Sequence, residues 1–274
     1  DGRLAPEKCV PALLNGGSVT DTAMEDVYIA STEESLNGVV VAGNSEYTLN
    51  RVKMDLEGFS DNDFLGVGAC VAAVDKAEDE PELAESINAY APQVLADICL
   101  RHNALLIHVS TDYVFGGEAE TPYKVDDPIH PQSVYGKTKA EGERMIRESG
   151  CNYMIVRTAW LYSSTGHNFV KTMLMLGDTK DEINVVADQK GCPTWAHDLA
   201  VALVALLDKN GKNEVHETFH FTNEGETTWF DFATAIMEIG GKRCKVNPIT
   251  TDQYPTKAKR PAYSVLDLSK IKAF

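Results

Sequence analysis

A tyrosine and a lysine stand four residues apart in the segment YGKTK at residues 135–139. The segment opens a helical stretch, and side chains four residues apart on a helix lie on one face, a turn apart. A lysine ammonium beside a tyrosine hydroxyl favours the phenolate and lowers the pKa of the tyrosine. Tyr135 and Lys139 therefore predict a site that transfers a proton to or from a carbonyl oxygen.

A hydroxyl precedes this pair at the end of an apolar run. Residues 105–109, LLIHV, have the composition of a parallel strand that is covered on both faces, and Ser110, Thr111 and Asp112 follow. We expect Thr111 to reach the same point as Tyr135. Without further context, an ordinary surface pair on the helix and a strand-end cap remain the alternatives.

The elements that must position these residues alternate along the chain. Small apolar residues at 66–73 predict a buried strand, and five apolar residues at helical spacing predict one helix over 81–102. The tyrosine helix is expected over 134–149, and the next strand over 153–157. This order predicts an α/β fold with a doubly wound parallel sheet. Shorter elements follow: helices over 167–176, 196–208 and 229–239, and strands over 184–187 and 219–221.

Composition narrows the class of protein. A net charge of −16 over 274 residues argues against non-specific binding to nucleic acid. No apolar run approaches the roughly 20 residues of a membrane span, and we expect no secretory signal. The six cysteines show no CxxC spacing, which favours free thiols in a reducing compartment and a cytoplasmic location.

The N-terminal region gives weaker signals for a nucleotide cofactor. Gly16 and Gly17 follow an apolar run, as in turns that hold a pyrophosphate, although an ordinary turn is the favoured explanation. Asp55 is a candidate ligand of ribose hydroxyls, or a solvated loop carboxylate. The small residues around Ala69 would let the backbone approach a cofactor. No GxGxxG fingerprint is present.

Several strings of residues together resemble the dTDP-4-dehydrorhamnose reductase family of extended short-chain dehydrogenases/reductases, over about residues 69–266. In chain order they are AVDKAE at 73–78, STDYVF at 110–115, YGKTK at 135–139, RTAWLY at 157–162, NFVKTM at 168–173 and the pair Arg260-Pro261. The resemblance implies a Rossmann-type domain that binds NADPH or NADH. It implies reduction of the C4 ketone of dTDP-4-dehydro-L-rhamnose to dTDP-L-rhamnose.

The same resemblance assigns roles and boundaries. It places the catalytic hydroxyl, tyrosine and lysine at Thr111, Tyr135 and Lys139, and substrate contacts at Asp112 and Trp160. We expect a dinucleotide-binding domain at 1–160 and a smaller substrate-binding lobe at 161–274, with some segments returning to the first domain. The expected state is a monomer or homodimer, and a Mg²⁺ requirement stays open.

Further pocket residues are predicted from their chemistry. A basic side chain suits phosphate oxygens, so Lys171 or Arg260 is expected to contact the diphosphate. Asn168 and Gln189 are additional pocket candidates.

The chain also departs from the family. The N-terminal glycine fingerprint is missing, and Val71 and Ala72 stand where the family usually has Tyr or His followed by Thr. Either the cofactor site is degenerate, or residues 1–68 do not follow the natural sequence. Two alternatives remain: a non-catalytic regulatory subunit, as in methionine adenosyltransferase, and another nucleotide-sugar epimerase or dehydratase.

Overall fold

The computed structural model describes the backbone of residues 70–210 and 214–274 and six short strands within residues 14–56. Side chains are described for residues 74–209 and 214–274. The chain divides into two compact units, Asp1–Val67 and Gly68–Phe274. The two units are described separately.

The described strands of the first unit pair in parallel, β1 with β4, β2 with β5 and β3 with β6. Their bounds are β1 Leu14–Asn15, β2 Ala23–Glu25, β3 Tyr28–Ser31, β4 Val40–Val41, β5 Thr48–Asn50 and β6 Lys53–Leu56. Asp55 lies in β6, but its side chain is outside the described residues, as are Gly16, Gly17 and Ala69. Their predicted roles with the cofactor stay predictions.

The second unit begins with a helix, α1, at Cys70–Asp79. The strand predicted over 66–73 is therefore wrong from residue 70 onward. Alanine is the strongest helix former, and the buried Val74 and Ala77 follow helical spacing. Val71 and Ala72 belong to this helix, and their side chains lie outside the described residues.

The helix predicted over 81–102 is present but interrupted. It consists of α2 at Pro81–Glu85, a π-helical turn at Ser86–Tyr90 and α3 at Ala91–His102. Its large apolar side chains are mostly exposed in the described part of the chain, whereas its alanines at 84, 89 and 96 are fully buried. The alanine face packs on the next helix, where a side chain at Gly142 would collide with the carbonyl oxygen of Asn88.

That next helix, α4, spans Val134–Ser149, as predicted. The Ser133 hydroxyl accepts a hydrogen bond from the backbone N–H of Gly136 at 3.1 Å, which caps the first turn. Gly150 ends the helix with a φ of 74°, a left-handed conformation that glycine adopts without steric cost. Both ends of α4 are thus fixed by local sequence.

Three parallel strands form the main described sheet, in the order β13-β8-β7. They are β7 at Leu105–Thr111, β8 at Asn152–Thr158 and β13 at His216–His220. Thr111 pairs with Thr158, so the carboxyl ends of β7 and β8 meet at one edge. The predicted α/β class with a parallel sheet is confirmed.

Helices cover this sheet on both faces. Met154 and Val156 of β8 pack with Leu199 and Leu206 of α6, which spans Ala196–Asn210. On the opposite face, a second group of buried residues joins β8 to α3 and α4: Ala96, Ile146, Cys151, Tyr153 and Ile155. Successive side chains of β8 contact opposite helix layers, because side chains alternate between the two faces of a strand.

A further core lies between α5 at Phe169–Thr179, β10 at Glu182–Val186, α7 at Trp229–Ile239 and β15 at Lys245–Ile249. The strands β10 and β15 pair in parallel. The short elements are a 3₁₀ turn at Asp112–Val114, β9 Leu161–Tyr162, β11 Lys190–Gly191, β12 Thr194–Trp195, β14 Thr227–Thr228, a 3₁₀ turn at Thr251–Gln253 and α8 Ser269–Ala273. The predicted domain boundary at residue 160 stays a prediction.

Within the described residues, no helix has both the length and the apolar character that crossing a membrane requires. The thiols of Cys99, Cys151, Cys192 and Cys244 are free.

Candidate active site

Thr111 occupies the carboxyl end of β7 and is nearly buried. Its hydroxyl oxygen accepts a hydrogen bond from the backbone N–H of Tyr113 at 3.2 Å. Its hydroxyl hydrogen is donated to Oδ1 of Asp112 at 2.9 Å. A hydroxyl has a single hydrogen to donate, so a ligand oxygen would have to compete with Asp112 for it.

Asp112 is 3% exposed, and its second oxygen, Oδ2, has no hydrogen-bond partner in the described part of the chain. Burial raises the pKa of this carboxyl from 3.8 to about 6, against the opposing effect of the Thr111 hydrogen bond. Asp112 therefore keeps its proton to a higher pH than an ordinary carboxyl does.

Lys139 lies against the same strand from α4. Its ammonium donates a hydrogen bond to the carbonyl oxygen of Val109 at 2.8 Å, and Nζ lies 3.3 Å from Nε2 of His108. Tyr135, one turn earlier on α4, packs edge-on against Tyr113, with ring centroids 5.7 Å apart. The structure thus places the three predicted catalytic residues around the carboxyl end of β7.

The start of α4 is held by a residue far away in the sequence. Oε1 of Glu78 accepts a hydrogen bond from the backbone N–H of Val134 at 2.7 Å. A carboxylate is favourable at a helix N-terminus, where backbone N–H groups lack helical partners. Glu78 therefore fixes the turn that carries Tyr135.

A buried ion pair anchors the same helix one turn beyond Lys139. Arg157 of β8 donates two hydrogen bonds to the Glu143 carboxylate, at 2.9 and 2.8 Å, and lies 3.3 Å from Nε2 of His220. Burial alone would raise the pKa of Glu143, but the bonds and charge of Arg157 outweigh it and lower the pKa to about 2. This pair ties α4 to the centre of the sheet.

Trp160 follows β8 with a φ of 48°, an uncommon conformation for a residue with a side chain. Its indole stacks on that of Trp229, with ring centroids 3.5 Å apart and planes 10° apart. A Cβ at Gly191 would lie 2.5 Å from the Trp160 ring, so only glycine fits there. Trp160 and Trp229 form an aromatic wall, and Gly191 leaves room for it. The sequence alone did not reveal the roles of Trp229 and Gly191.

The two predicted phosphate contacts have different surroundings. The Arg260 guanidinium is 9% exposed, forms an ion pair with Asp75 at 2.5 Å and donates a hydrogen bond to the Tyr113 hydroxyl at 3.0 Å. Lys171 is exposed on α5. Arg260 therefore braces α1 against the site, whereas Lys171 faces solvent.

The amides of Asn168 and Gln189 serve local structure. Oδ1 of Asn168 accepts a hydrogen bond from the backbone N–H of Lys171 at 3.2 Å, and its Nδ2 donates to the carbonyl oxygen of Ser163 at 2.9 Å. Asn168 thus caps α5. Gln189 donates a hydrogen bond to Thr251 at 3.0 Å. Contact of these residues with a ligand stays a prediction.

The edge where the strands end is polar and incompletely bonded. Thr158, Thr194 and Thr222 each bury a hydroxyl oxygen that has no hydrogen-bond partner in the described part of the chain. Thr158 ends β8, and Thr222 follows β13 by two residues. Buried polar groups are normally bonded, so such positions suit water or ligand atoms.

The donor set fits a nicotinamide cofactor better than a metal. A lysine ammonium and a tyrosine hydroxyl can both bond ribose hydroxyls, and Lys139 and Tyr135 lie together on α4. Among residues with described side chains, no three acidic, histidine or cysteine residues are grouped to hold a metal ion.

Comparison with known proteins bears on the identity of the chain. A family model described as the RmlD substrate binding domain matches residues 59–274. The dTDP-4-dehydrorhamnose reductase of Aggregatibacter actinomycetemcomitans is 44% identical over 224 residues, which cover 79% of this chain and 76% of that protein.

Solved structures give the same result. The dTDP-4-dehydrorhamnose reductase of Bacillus anthracis, in complex with NADP, has a TM-score of 0.70 and 38% identity, covering 73% of this chain and 70% of that one. The Clostridium acetobutylicum protein of the same name has a TM-score of 0.69 and 42% identity, covering 78% and 81%. The chain belongs to the dTDP-4-dehydrorhamnose reductase family of extended short-chain dehydrogenases/reductases.

Proposed function

We propose that the protein uses NADPH or NADH to reduce the C4 ketone of dTDP-4-dehydro-L-rhamnose, which yields dTDP-L-rhamnose. The observation that carries this proposal is the arrangement of Thr111, Tyr135 and Lys139 around the carboxyl end of β7. Family membership supplies the substrate class, because relatives with 39–44% identity carry the name of this reductase.

Tyr135 is the general acid in this mechanism. A nicotinamide bound at this site would supply the hydride that C4 accepts, which leaves negative charge on the ketone oxygen. The Tyr135 hydroxyl gives its proton to that oxygen. The Lys139 ammonium, held by the Val109 carbonyl, favours the phenolate that remains and would also bond the ribose of a bound nicotinamide.

Thr111 stabilises the same oxygen. To do so, its hydroxyl hydrogen turns from Asp112 to the substrate, which supplies a hydrogen bond where charge develops. A protonated Asp112 is a weaker acceptor than a carboxylate, so this turn costs less when Asp112 carries its proton. The predicted substrate contact at Asp112 is thereby proposed to act through Thr111.

The sugar nucleotide is proposed to lie against the wall formed by Trp160 and Trp229. Arg260 already bonds Asp75 and Tyr113, so the exposed Lys171 is the better candidate for the diphosphate. We further propose a cytoplasmic enzyme that is a monomer or homodimer. Light scattering of the purified protein would give its oligomeric state.

The direct test mixes the purified protein with NADPH and dTDP-4-dehydro-L-rhamnose and follows the absorbance of the reduced cofactor. Consumption that depends on the sugar, and that Tyr135→Phe lowers by roughly 10²–10⁴-fold, supports the reductase. If calorimetry detects no binding of NADPH or NADH while a partner enzyme is captured, the protein is a regulatory subunit instead. Release of a 4-keto sugar from a dTDP-hexose would indicate a dehydratase.

A further inference from the structure

His108 is a buried titratable group that the mechanism above does not use. It lies in β7, three residues before Thr111, and its Nε2 is 3.3 Å from the Lys139 ammonium nitrogen. The same ammonium donates to the carbonyl oxygen of Val109, the next residue of the strand, at 2.8 Å. Two consecutive residues of β7 therefore contact the catalytic lysine.

The chemistry of the two groups fixes the direction of the contact. An ammonium has donors only, so Nε2 of His108 must be the unprotonated, accepting nitrogen, and the ring hydrogen lies on Nδ1. Burial, and then the charge of Lys139, lower the pKa of His108 to about 3, against a smaller opposing effect of Glu143. These two residues of α4 are the charged groups that act on the ring, and Arg157 of β8 neutralises Glu143. His108 is thus a neutral acceptor at physiological pH.

We propose that His108 is a positioning residue of the reductase, which holds the Lys139 ammonium in the place where it can act on Tyr135. This inference rests on the proposed function. A lysine reaches its target on a flexible four-carbon stem, and two acceptors on one strand remove much of that freedom. Because β7 also carries Thr111, the strand sets both the lysine and the hydroxyl relative to each other.

The test compares two substitutions at one position. His108→Gln keeps an acceptor near the position of Nε2, whereas His108→Leu removes it and retains an apolar body. We expect His108→Leu to lower kcat by roughly 10- to 100-fold, the scale of losing a hydrogen bond to a charged group, with little change in KM for the sugar. His108→Gln should restore most of the rate.

The pH profile separates positioning from simple packing. If the ammonium moves away from Tyr135, the pKa of the tyrosine rises, so the alkaline fall of kcat should shift to higher pH in His108→Leu and return in His108→Gln. Equal losses in both variants, or a loss without this shift, would overturn the proposal.

A second measurement needs no cofactor or substrate. Nitrogen NMR of the imidazole in the unliganded protein should show the Nδ1–H tautomer throughout about pH 5–8, and Lys139→Met should raise the pKa of His108 towards 6.5. An imidazole that titrates normally in the unaltered protein would refute the contact, even in an active reductase. A preserved contact without any turnover would instead defeat the proposed function, and the positioning role with it.

Discussion

Two buried acids, each beside a catalytic element, have opposite properties. Asp112 directly follows β7, accepts a hydrogen bond from the Thr111 hydroxyl and has a second oxygen without a partner in the described structure; its pKa is raised to about 6. Glu143 lies inside α4, accepts two bonds from Arg157, and has a pKa lowered to about 2. Both carboxyls are almost inaccessible, so the difference comes from their partners rather than from burial.

The comparison separates a structural region from a reactive one. At the interface of α4 and β8, Arg157 and Arg147 pair with the Glu143 carboxylate and lower its pKa. At the strand ends, Asp112 and the buried hydroxyls of Thr158 and Thr222 lack such partners in the described residues. Groups that keep unused bonding capacity can bond a ligand or exchange protons. We therefore expect changes in the first region to affect stability and changes in the second to affect rate.

The largest effect should be the loss of rate in Tyr135→Phe. Removing the general acid should lower kcat by roughly 10²–10⁴-fold while the midpoint of urea unfolding stays the same. Steady-state kinetics and urea titration measure the two quantities. Tyr90→Phe, at an exposed tyrosine of the π turn, is the matched control and should change neither. Near-normal turnover of Tyr135→Phe would show that Tyr135 is not the general acid and that the strand-end region does not carry this chemistry.

Arg157→Met should have the largest effect on stability. It leaves the buried Glu143 carboxylate with Arg147, 2.6 Å away and 32% exposed, as its remaining ion-pair partner. The cost should therefore lie below the roughly 3–5 kcal/mol of unfolding free energy that breaking a buried pair typically costs. Urea unfolding above pH 4.5, where Glu143 is normally ionised, measures this cost. The double variant Arg157→Met with Glu143→Gln should recover much of the loss, because no buried charge remains. A loss that the double variant does not reduce would mean that packing, rather than charge, dominates this interface.

The pH dependence of stability should differ in sign between the two acids. Asp112 keeps its proton in the folded state up to about pH 6, whereas the unfolded state loses it near 3.8, so its stabilising contribution is lost as the pH rises through this window. Glu143 stabilises the fold above pH 4.5 and loses that contribution as the pH falls through about 2.

Asp112→Asn should remove the first of these dependences. As the pH rises from below 3.8 to above about 6, the unfolding free energy of the variant should increase relative to that of the unaltered protein by on the order of 3 kcal/mol. Unfolding free energies measured from about pH 2 to above about 6 test the change. Glu143→Gln is the control of opposite sign, and its own change should fall between about pH 2 and 4.5. Parallel curves for Asp112→Asn and the unaltered protein would show that Asp112 is not held in its neutral form.

The smallest effect should come from an ion pair at the surface. Lys259 and Glu118 lie 3.4 Å apart, with side chains 59% and 80% exposed. Solvent screens such a pair, so Lys259→Ala should change the unfolding free energy by less than about 1 kcal/mol. A cost comparable to that of Arg157→Met would mean that burial does not govern the strength of ion pairs in this protein.

Local signals predicted the elements that carry the proposed catalytic residues. The cap at Ser133 and the glycine at 150 fix both ends of α4, and the apolar run before Thr111 fixes β7. Alanines at 72 and 73 read as small strand residues but belong to a helix, because small side chains suit both structures.

Contacts between distant residues had no local signal. Trp229 stacks on Trp160 from 69 positions away, and Asp75 bonds Arg260 from 185 positions away. The pairing of Glu143 with Arg157 depends on how α4 packs on β8. The sequence therefore predicts which residues could carry chemistry, and the structure was needed to show which residues contact them.

The π turn at Ser86–Tyr90 determines which residues of the helical segment 81–102 face α4. Ala84 and Ala89 are five residues apart, and in an uninterrupted α-helix that spacing would rotate them about 140° away from each other. The wider turn absorbs part of this rotation, so both alanines remain buried, as does Ala96. The π turn thus contains one more residue than an α-helical turn, and the helix accommodates this residue by a local change of pitch. The helix that carries Tyr135 and Lys139 consequently packs against a face of buried alanines.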